Sequence, residues 1–246
     1  LSYRLFLERS VQEKRLQNWQ SWQRRSETVN KKYAIFDLDG TLIDSMRWWK
    51  GLAEEFLRSR GVTEIPDGLT DQIQTMTVLE SSRLFIRTFG ISGTAESVAG
   101  EMNALMDRHY REDISLKPGV KACLDTLKKK GVRMCVASAA SAKLAEDCLK
   151  RLGTADYFEE FLSCEDVGAG KTRPDIYLRA AAGMGAAPED TAVYEDALYA
   201  AETAKKAGFY VIGVYDEGSC RTKEERKRLG DLADEMIECW EEEEKL

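Results

Sequence analysis

The chain has 246 residues, of which 43% are hydrophobic and 32% charged, a composition typical of a globular protein that buries a core. No apolar run approaches the roughly 20 residues of a membrane-spanning helix, so we expect no membrane partner. The net charge of −7 argues against nucleic-acid binding and means that any phosphate site must be built locally.

Residues 1–31 are predicted to form a basic N-terminal extension. Residues 1–32 carry eight Lys or Arg residues against three Glu residues, a net charge of +5. No apolar segment precedes a small-residue cleavage site, so a signal peptide is not expected. A loose helix is the leading interpretation of this segment, and a basic amphipathic helix that contacts a membrane or a partner is the alternative.

The first strand, Tyr33–Asp37, is a short apolar run that ends in an acid. The following segment shows helical patterns only, at Arg47–Arg60, Asp71–Phe89 and Ala95–Arg111. We therefore predict that residues 46–115 form a small all-helical domain inserted after the first strand. Residues 32–45 and 116–240 then form the core.

Strands and helices alternate in the rest of the chain. Apolar runs predict strands at Val132–Ala137, Phe161–Cys164, Thr191–Tyr194 and Phe209–Val214. Helical patterns lie at Val120–Lys130, Ser141–Leu152, Asp175–Met184 and Ala197–Ala207. This alternation predicts an α/β fold with a Rossmann-like parallel sheet and helices on both faces.

Polar and charged residues follow the predicted strands. They are Asp37, Asp39, Gly40 and Thr41 after the first strand, Ser138 and Ala139 after the second, Lys171 after the third, and Glu195 and Asp196 after the fourth. The carboxyl ends of parallel strands meet at one edge of a sheet, so these groups should converge. Four neighbouring acids repel unless a cation neutralises them, and Mg²⁺ suits such oxygen ligands.

These residue types suit phosphoryl transfer. Asp37 is placed to attack phosphorus and form an aspartyl phosphate. Asp39, on the same side of an extended chain, can protonate the leaving oxygen and later activate water. Ser138 and nearby backbone amides can bind phosphoryl oxygens, and Lys171 can neutralise developing charge. Candidate phosphate-binding residues are thus Gly40, Thr41, Ser138, Ala139 and Lys171.

The ordered motifs resemble those of the haloacid dehalogenase-like superfamily. The resemblance covers about Lys32 to Asp234 and includes the helical insert, which is similar to the cap of phosphoglycolate phosphatase and beta-phosphoglucomutase-like members. It implies that Asp37 is the nucleophile and Asp39 the general acid and base. It also implies that Mg²⁺ is held by Asp37, the backbone carbonyl of Asp39 and Asp196, with Glu195 assisting. Thr172 and Ala197 depart from the usual Pro and Ser of the third and fourth motifs, and neither replaces a reacting group.

The leading interpretation is a cytoplasmic, magnesium-dependent phosphatase acting on a small phosphorylated metabolite. A sugar-phosphate mutase is the alternative; mutases carry a cap histidine where this chain has Trp49. They also carry a cap arginine in a loop corresponding to Thr75–Ser82, which lacks one, although Arg83 follows directly. We take Trp49 and Arg83 as candidate substrate contacts. A catalytically idle binding module is disfavoured because the reacting groups are all present, and dehalogenation because Asp39 would have no role.

Other features narrow these expectations. The six cysteines form no CxxC pair, and a lone histidine, His109, excludes a mixed Cys/His zinc site of the usual spacing, so reduced thiols in the cytoplasm are expected. His109 is predicted to be a partly exposed structural residue. The motifs specify neither the phosphate ester nor whether the protein is a monomer or a homodimer.

Overall fold

The structure, a computed structural model, describes residues 31–73, 76–219, 222–238 and 240. The basic N-terminal extension, apart from Lys31, lies outside the described residues, as do Thr75, Cys220 and Cys239. The chain divides into two compact units. The sheet unit contains the described residues up to Asp44 and from Ser115 onward, and the inserted unit spans Ser45–Ile114.

The sheet unit is built on six parallel strands. They are β1 (Tyr33–Phe36), β2 (Arg133–Ser138), β3 (Phe161–Ser163), β4 (Thr191–Glu195), β5 (Tyr210–Val214) and β6 (Glu235–Ile237). Their order across the sheet is β3-β2-β1-β4-β5-β6, so β1 lies between β2 and β4. The direction in which strands are added reverses across β1, and sheets of this kind bind ligands beyond the carboxyl ends of the strands at such a point. The predicted fold class is confirmed.

The described helices are numbered in chain order. The inserted unit contains α1 (Met46–Ser59), α2 (Leu69–Ile73), α3 (Val78–Phe89) and α4 (Ala95–Glu112). The sheet unit contains α5 (Val120–Lys129), α6 (Ala142–Arg151), α7 (Cys164–Val167), α8 (Asp175–Gly183), α9 (Leu198–Lys206) and α10 (Lys223–Leu232). Among the described helices, none has both the length and the apolar character needed to cross a membrane.

Helices cover both faces of the sheet because strand side chains alternate between faces. On one face Ile35 and Val193 belong to a buried cluster with Ile176 of α8 and Ala201 of α9. On the other, the ring of Phe36 lies 4.2 Å from that of Tyr194 and 5.9 Å from that of Phe158. From β1 to β3 the chain moves across the sheet in the direction opposite to that from β4 to β6. Because crossovers between parallel strands are right-handed as a rule, α5 and α6 are expected on this second face.

A short antiparallel ribbon joins the two places where the chain leaves and re-enters the sheet unit. Asp44 N donates to Ser115 O at 2.9 Å, and Lys117 N donates to Leu42 O at 2.9 Å. Ile43 pairs with Leu116 between them. The two chain segments that lead into and out of the inserted unit therefore lie side by side.

The inserted unit has its own packed interior. The rings of Phe56 and Phe85 lie 6.3 Å apart. His109 is buried, with Nε2 2.7 Å from Glu55 Oε2 and Nδ1 2.6 Å from Asp113 Oδ2, and its ring stacks on Trp48 at 4.1 Å. The expectation of a partly exposed histidine was wrong, because two carboxylates satisfy both ring nitrogens and permit burial.

The single helix predicted over Asp71–Phe89 is instead two helices, α2 and α3. The second begins at a capping box: Thr77 Oγ1 accepts from Glu80 N at 3.2 Å, and Glu80 Oε2 accepts from Thr77 N at 2.7 Å. The box satisfies amide groups that are unpaired at the start of a helix. Its Thr-x-x-Glu signature was present in the sequence.

The sheet unit also contains three elements that the sequence analysis did not predict. They are α7, α10 and β6. Strand β6 has only three residues, and the described residues of α10 bury one side chain, that of Leu229. Strand β6 and helix α10 therefore produce no strong apolar pattern in the sequence.

Candidate active site

A tight loop follows β1 and carries the first group of candidate residues. Asp37 N donates to Tyr194 O at 3.0 Å, so Asp37 continues the pairing of β1 with β4. Ile43 N then donates to Leu38 O, and Gly40 N donates to Ile43 O, each at 3.0 Å. These bonds fix the backbone, and Asp37 and Asp39 are therefore held at the carboxyl end of the central strand.

Gly40 lets this loop approach Asp196. Its φ of +79° is unfavourable for residues with a Cβ. A Cβ added there would lie 2.1 Å from Asp196 Oδ2. The glycine is thus required both for the backbone conformation and for the contact between the two motifs.

Lys171 joins the first and fourth motifs. Its buried ammonium donates to Asp37 Oδ1 and to Glu195 Oε1, and Tyr177 Oη donates to the same Glu195 oxygen at 2.7 Å. Burial favours a lower pKa for Lys171, but the carboxylates of Asp37 and Glu195 outweigh it and raise the pKa well above its ordinary value. Burial also raises the pKa of Tyr177, which therefore stays protonated as a donor.

Three buried acids cluster at this edge of the sheet. One carboxylate oxygen from each of Asp37, Glu195 and Asp196 lies within 4.8 Å of the others. Burial raises the pKa of both Glu195 and Asp196, and repulsion from Asp37 raises them further. Lys171 contacts two of these acids, Asp37 and Glu195, so ionising all three carboxylates would leave two negative charges unbalanced.

This donor set fits a divalent cation. The ligands are hard oxygens, as Mg²⁺ prefers, and a charge of +2 would balance the excess. Glu195 Oε2 is buried and has no hydrogen-bond partner among the described residues. A buried acceptor of this kind is costly unless an ion or a water satisfies it.

Asp196 is held by hydroxyl groups from two loops. Thr41 Oγ1 donates to Asp196 Oδ1 at 3.2 Å, and Ser219 Oγ donates to Asp196 Oδ2. Thr41 is itself anchored, because the buried indole of Trp240 donates to its carbonyl at 3.1 Å and lies 6.0 Å from the ring of Tyr194. Both oxygens of Asp196 are thereby oriented.

Ser138 and Ala139 lie at the same edge of the sheet, at the end of β2. Ser138 pairs in register with Ser163 and is buried. Its Oγ accepts from Ala140 N at 3.0 Å, and a hydroxyl that accepts one hydrogen bond can still donate its proton.

The other two predicted contacts, Trp49 and Arg83, lie on α1 and α3 of the inserted unit, half-buried and exposed respectively. Their role as substrate contacts stays a prediction. The sequence analysis missed Tyr177, Ser219 and Trp240, and no motif or spacing identified them.

Comparisons with known proteins agree on one family. Residues 31–208 match the family described as haloacid dehalogenase-like hydrolase. The chain is 32% identical to the beta-phosphoglucomutase of Bacillus subtilis, over 74% of this chain and 83% of that protein. It is 31% identical to hexitol phosphatase A of Escherichia coli (73% and 81% covered) and 27% identical to a phosphorylated carbohydrates phosphatase of Thermotoga maritima (71% and 80%).

Solved structures share the fold. A hydrolase from Pseudomonas syringae superposes with a TM-score of 0.61 at 25% identity, covering 85% of this chain and 93% of that one. CbbY from Rhodobacter sphaeroides, solved in complex with phosphate, gives a TM-score of 0.67 at 23% identity, with 87% and 96% covered.

Gly40→Ala should destabilise the protein more than Gly131→Ala does. Both glycines have a positive φ, but a Cβ at Gly131 meets no atom within 4 Å, so that variant bears only the backbone cost of about 1–2 kcal/mol. Gly40→Ala must also displace Asp196 from its hydroxyl partners. Urea unfolding without added divalent cations measures both, and equal losses would contradict the close approach of Gly40 to Asp196.

Proposed function

This chain belongs to the haloacid dehalogenase-like hydrolase family and is an enzyme, and we propose that it hydrolyses small phosphate monoesters through a phosphorylated Asp37, with Mg²⁺ as cofactor. The observation that carries the proposal is the buried ammonium of Lys171 paired with Asp37 inside a cluster of acids. A nucleophilic carboxylate needs this arrangement to be held in one orientation and to meet an anionic substrate.

The first half-reaction forms the phosphoenzyme. Lys171 holds Asp37 Oδ1, and the other carboxylate oxygen attacks phosphorus. The bond from phosphorus to the ester oxygen breaks, and Asp39 gives its proton to that leaving oxygen. Ser138 and the adjacent amides bind the phosphoryl oxygens, together with Gly40, Thr41 and Ala139.

The second half-reaction returns the enzyme to its starting state. Asp39, now a carboxylate, takes a proton from a water molecule whose oxygen attacks phosphorus. The bond from phosphorus to Asp37 breaks, and inorganic phosphate leaves. Before Asp37 is phosphorylated, its carboxylate and that of Glu195 raise the pKa of Lys171. In the phosphoenzyme, Glu195 still pairs with the Lys171 ammonium and keeps it charged.

The residues that would hold Mg²⁺ are Asp37, Asp196, the backbone carbonyl of Asp39 and Glu195, directly or through water. When bound, the ion supplies positive charge that offsets repulsion between these acids and the phosphate. Lys171 and Tyr177 orient Glu195 through its Oε1, while Oε2 stays available.

The substrate class we propose is a phosphorylated sugar or polyol of the cytoplasm. Two relatives are named as phosphatases of carbohydrates and of hexitols, at 27% and 31% identity. We propose further that Trp49 and Arg83 of the inserted unit contribute to its recognition. The protein acts as a monomer or a homodimer.

A sugar-phosphate mutase is the second candidate, supported by the 32% identity to a beta-phosphoglucomutase. Trp49 argues against it, because the mutases that this chain resembles have a histidine there. Incubation with sugar monophosphates, with and without a sugar bisphosphate, separates the two. A phosphatase releases inorganic phosphate, whereas a mutase accumulates an isomeric sugar phosphate.

Asp37→Asn should reduce turnover of p-nitrophenyl phosphate by more than about 10³-fold, because an amide oxygen is a poor nucleophile. When the reaction is quenched with acid, the Asp37→Asn protein should also carry no covalently bound phosphate. Asp156→Asn, which changes an exposed acid of the sheet unit, is the control and should behave as wild type. Turnover of Asp37→Asn within roughly tenfold of wild type would exclude Asp37 as the nucleophile.

Asp39→Ala should slow alkyl phosphates by about 10²–10⁴-fold, because it removes the proton donor for the leaving oxygen. p-Nitrophenolate leaves without protonation, so phosphoenzyme formation from p-nitrophenyl phosphate should fall much less. Rapid-quench measurement of phosphoenzyme with both substrates tests this expectation. Equal losses for the two leaving groups would show that Asp39 is not the acid.

A further inference from the structure

Lys117 connects two loops of the sheet unit and has no place in the mechanism above. Its Nζ donates to Gly40 O at 2.6 Å in the loop after β1. It also donates to Tyr215 O at 3.2 Å and to Asp216 Oδ2 at 2.9 Å in the loop after β5. The side chains of Lys117 and Asp216 are only 13% and 8% exposed, so this is a largely buried ion pair.

Asp216 passes this connection on to Ser219. Asp216 Oδ1 accepts from Gly218 N at 2.7 Å and from Ser219 N at 3.0 Å, which fixes the turn. The turn places Ser219 Oγ against Asp196 Oδ2. The orientation of this hydroxyl thus depends on the Asp216 carboxylate.

The loop after β1 reaches the other carboxylate oxygen of Asp196. Gly40, whose carbonyl accepts from Lys117, directly precedes Thr41, and Thr41 Oγ1 donates to Asp196 Oδ1 at 3.2 Å. Each oxygen of Asp196 is therefore bound by a hydroxyl from one of the two loops that Lys117 joins.

We propose that Lys117 and Asp216 are positioning residues that fix the orientation of Asp196 and thereby set the affinity for Mg²⁺. This inference rests on the proposed role of Asp196 as a metal ligand. Outer groups that orient a ligating carboxylate restrict it to the rotation that suits the ion. If the two loops loosen, all of the metal ligands are still present, but the Asp196 carboxylate can rotate away from the ion.

The test measures the Mg²⁺ dissociation constant by calorimetry in Lys117→Met, Asp216→Asn and the double variant. Lys117→Met keeps the apolar stem, and Asp216→Asn keeps the acceptor of the turn, so both should fold. Each should bind Mg²⁺ about 10–100-fold more weakly. The double variant should be no weaker than the worse single variant, because both act through the same pair of loops.

Kinetics distinguish positioning from general stabilisation. The Mg²⁺ concentration for half-maximal rate should rise with the dissociation constant, while kcat at saturating Mg²⁺ stays within about threefold of wild type. The control is Lys205→Met, which removes the ion pair between Lys205 and Asp234 in the same unit. It should retain wild-type Mg²⁺ affinity even where its melting temperature falls.

Asp196→Ala separates the failure of this inference from failure of the proposed function. If Asp196→Ala loses Mg²⁺ binding but Lys117→Met and Asp216→Asn bind it as wild type does, positioning is overturned and the metal site stands. Equal weakening in Lys205→Met also overturns it. If Asp196→Ala binds Mg²⁺ normally, or wild type binds none, the proposed metal site and this inference both fail.

Discussion

One buried ammonium, that of Lys171, makes the arrangement of the acids in this protein possible. Removing a lysine from water is costly, and so is removing a carboxylate. Lys171 offsets part of this cost by donating to both Asp37 and Glu195. Because Asp37 continues β1 and Glu195 ends β4, the ion pairs depend on the register of two adjacent strands. The fold and the charge cluster therefore require each other.

The cluster is not balanced by Lys171 alone, and this has a thermodynamic consequence. Burial and mutual repulsion disfavour the charged forms of Glu195 and Asp196. Ionising all three acids without a cation would therefore destabilise the edge of the sheet. Unfavourable interactions of this kind are common at functional sites, where residues are selected for the ligand that they bind. A ligand of opposite charge gains affinity from the repulsion that it relieves.

The sequence predicted which charged residues converge at the edge of the sheet far better than it predicted the residues that hold them in place. Asp37, Lys171 and Asp196 follow strands, and parallel strands bring their carboxyl ends together, so local patterns sufficed. Tyr177, Ser219 and Trp240 could not be found in this way. Tyrosine, serine and tryptophan occur in many contexts, and these act through contacts that depend on how distant segments pack. The capping box at Thr77 marked the start of α3 in the sequence. The helical periodicity on both sides of it nevertheless led to the prediction of a single helix.

The ribbon that pairs Ile43 with Leu116 has a consequence for how the chain folds. Strands β1 and β2 pair Tyr33 with Arg133, about a hundred positions apart, and closing so long a loop carries a large entropy cost. The ribbon brings the two ends of the insert together, since residues paired in an antiparallel ribbon lie about 5 Å apart. Once the insert has folded as a compact unit, the effective loop is that of a short connection. The contact order that governs assembly of the sheet is then lower than the sequence separation suggests.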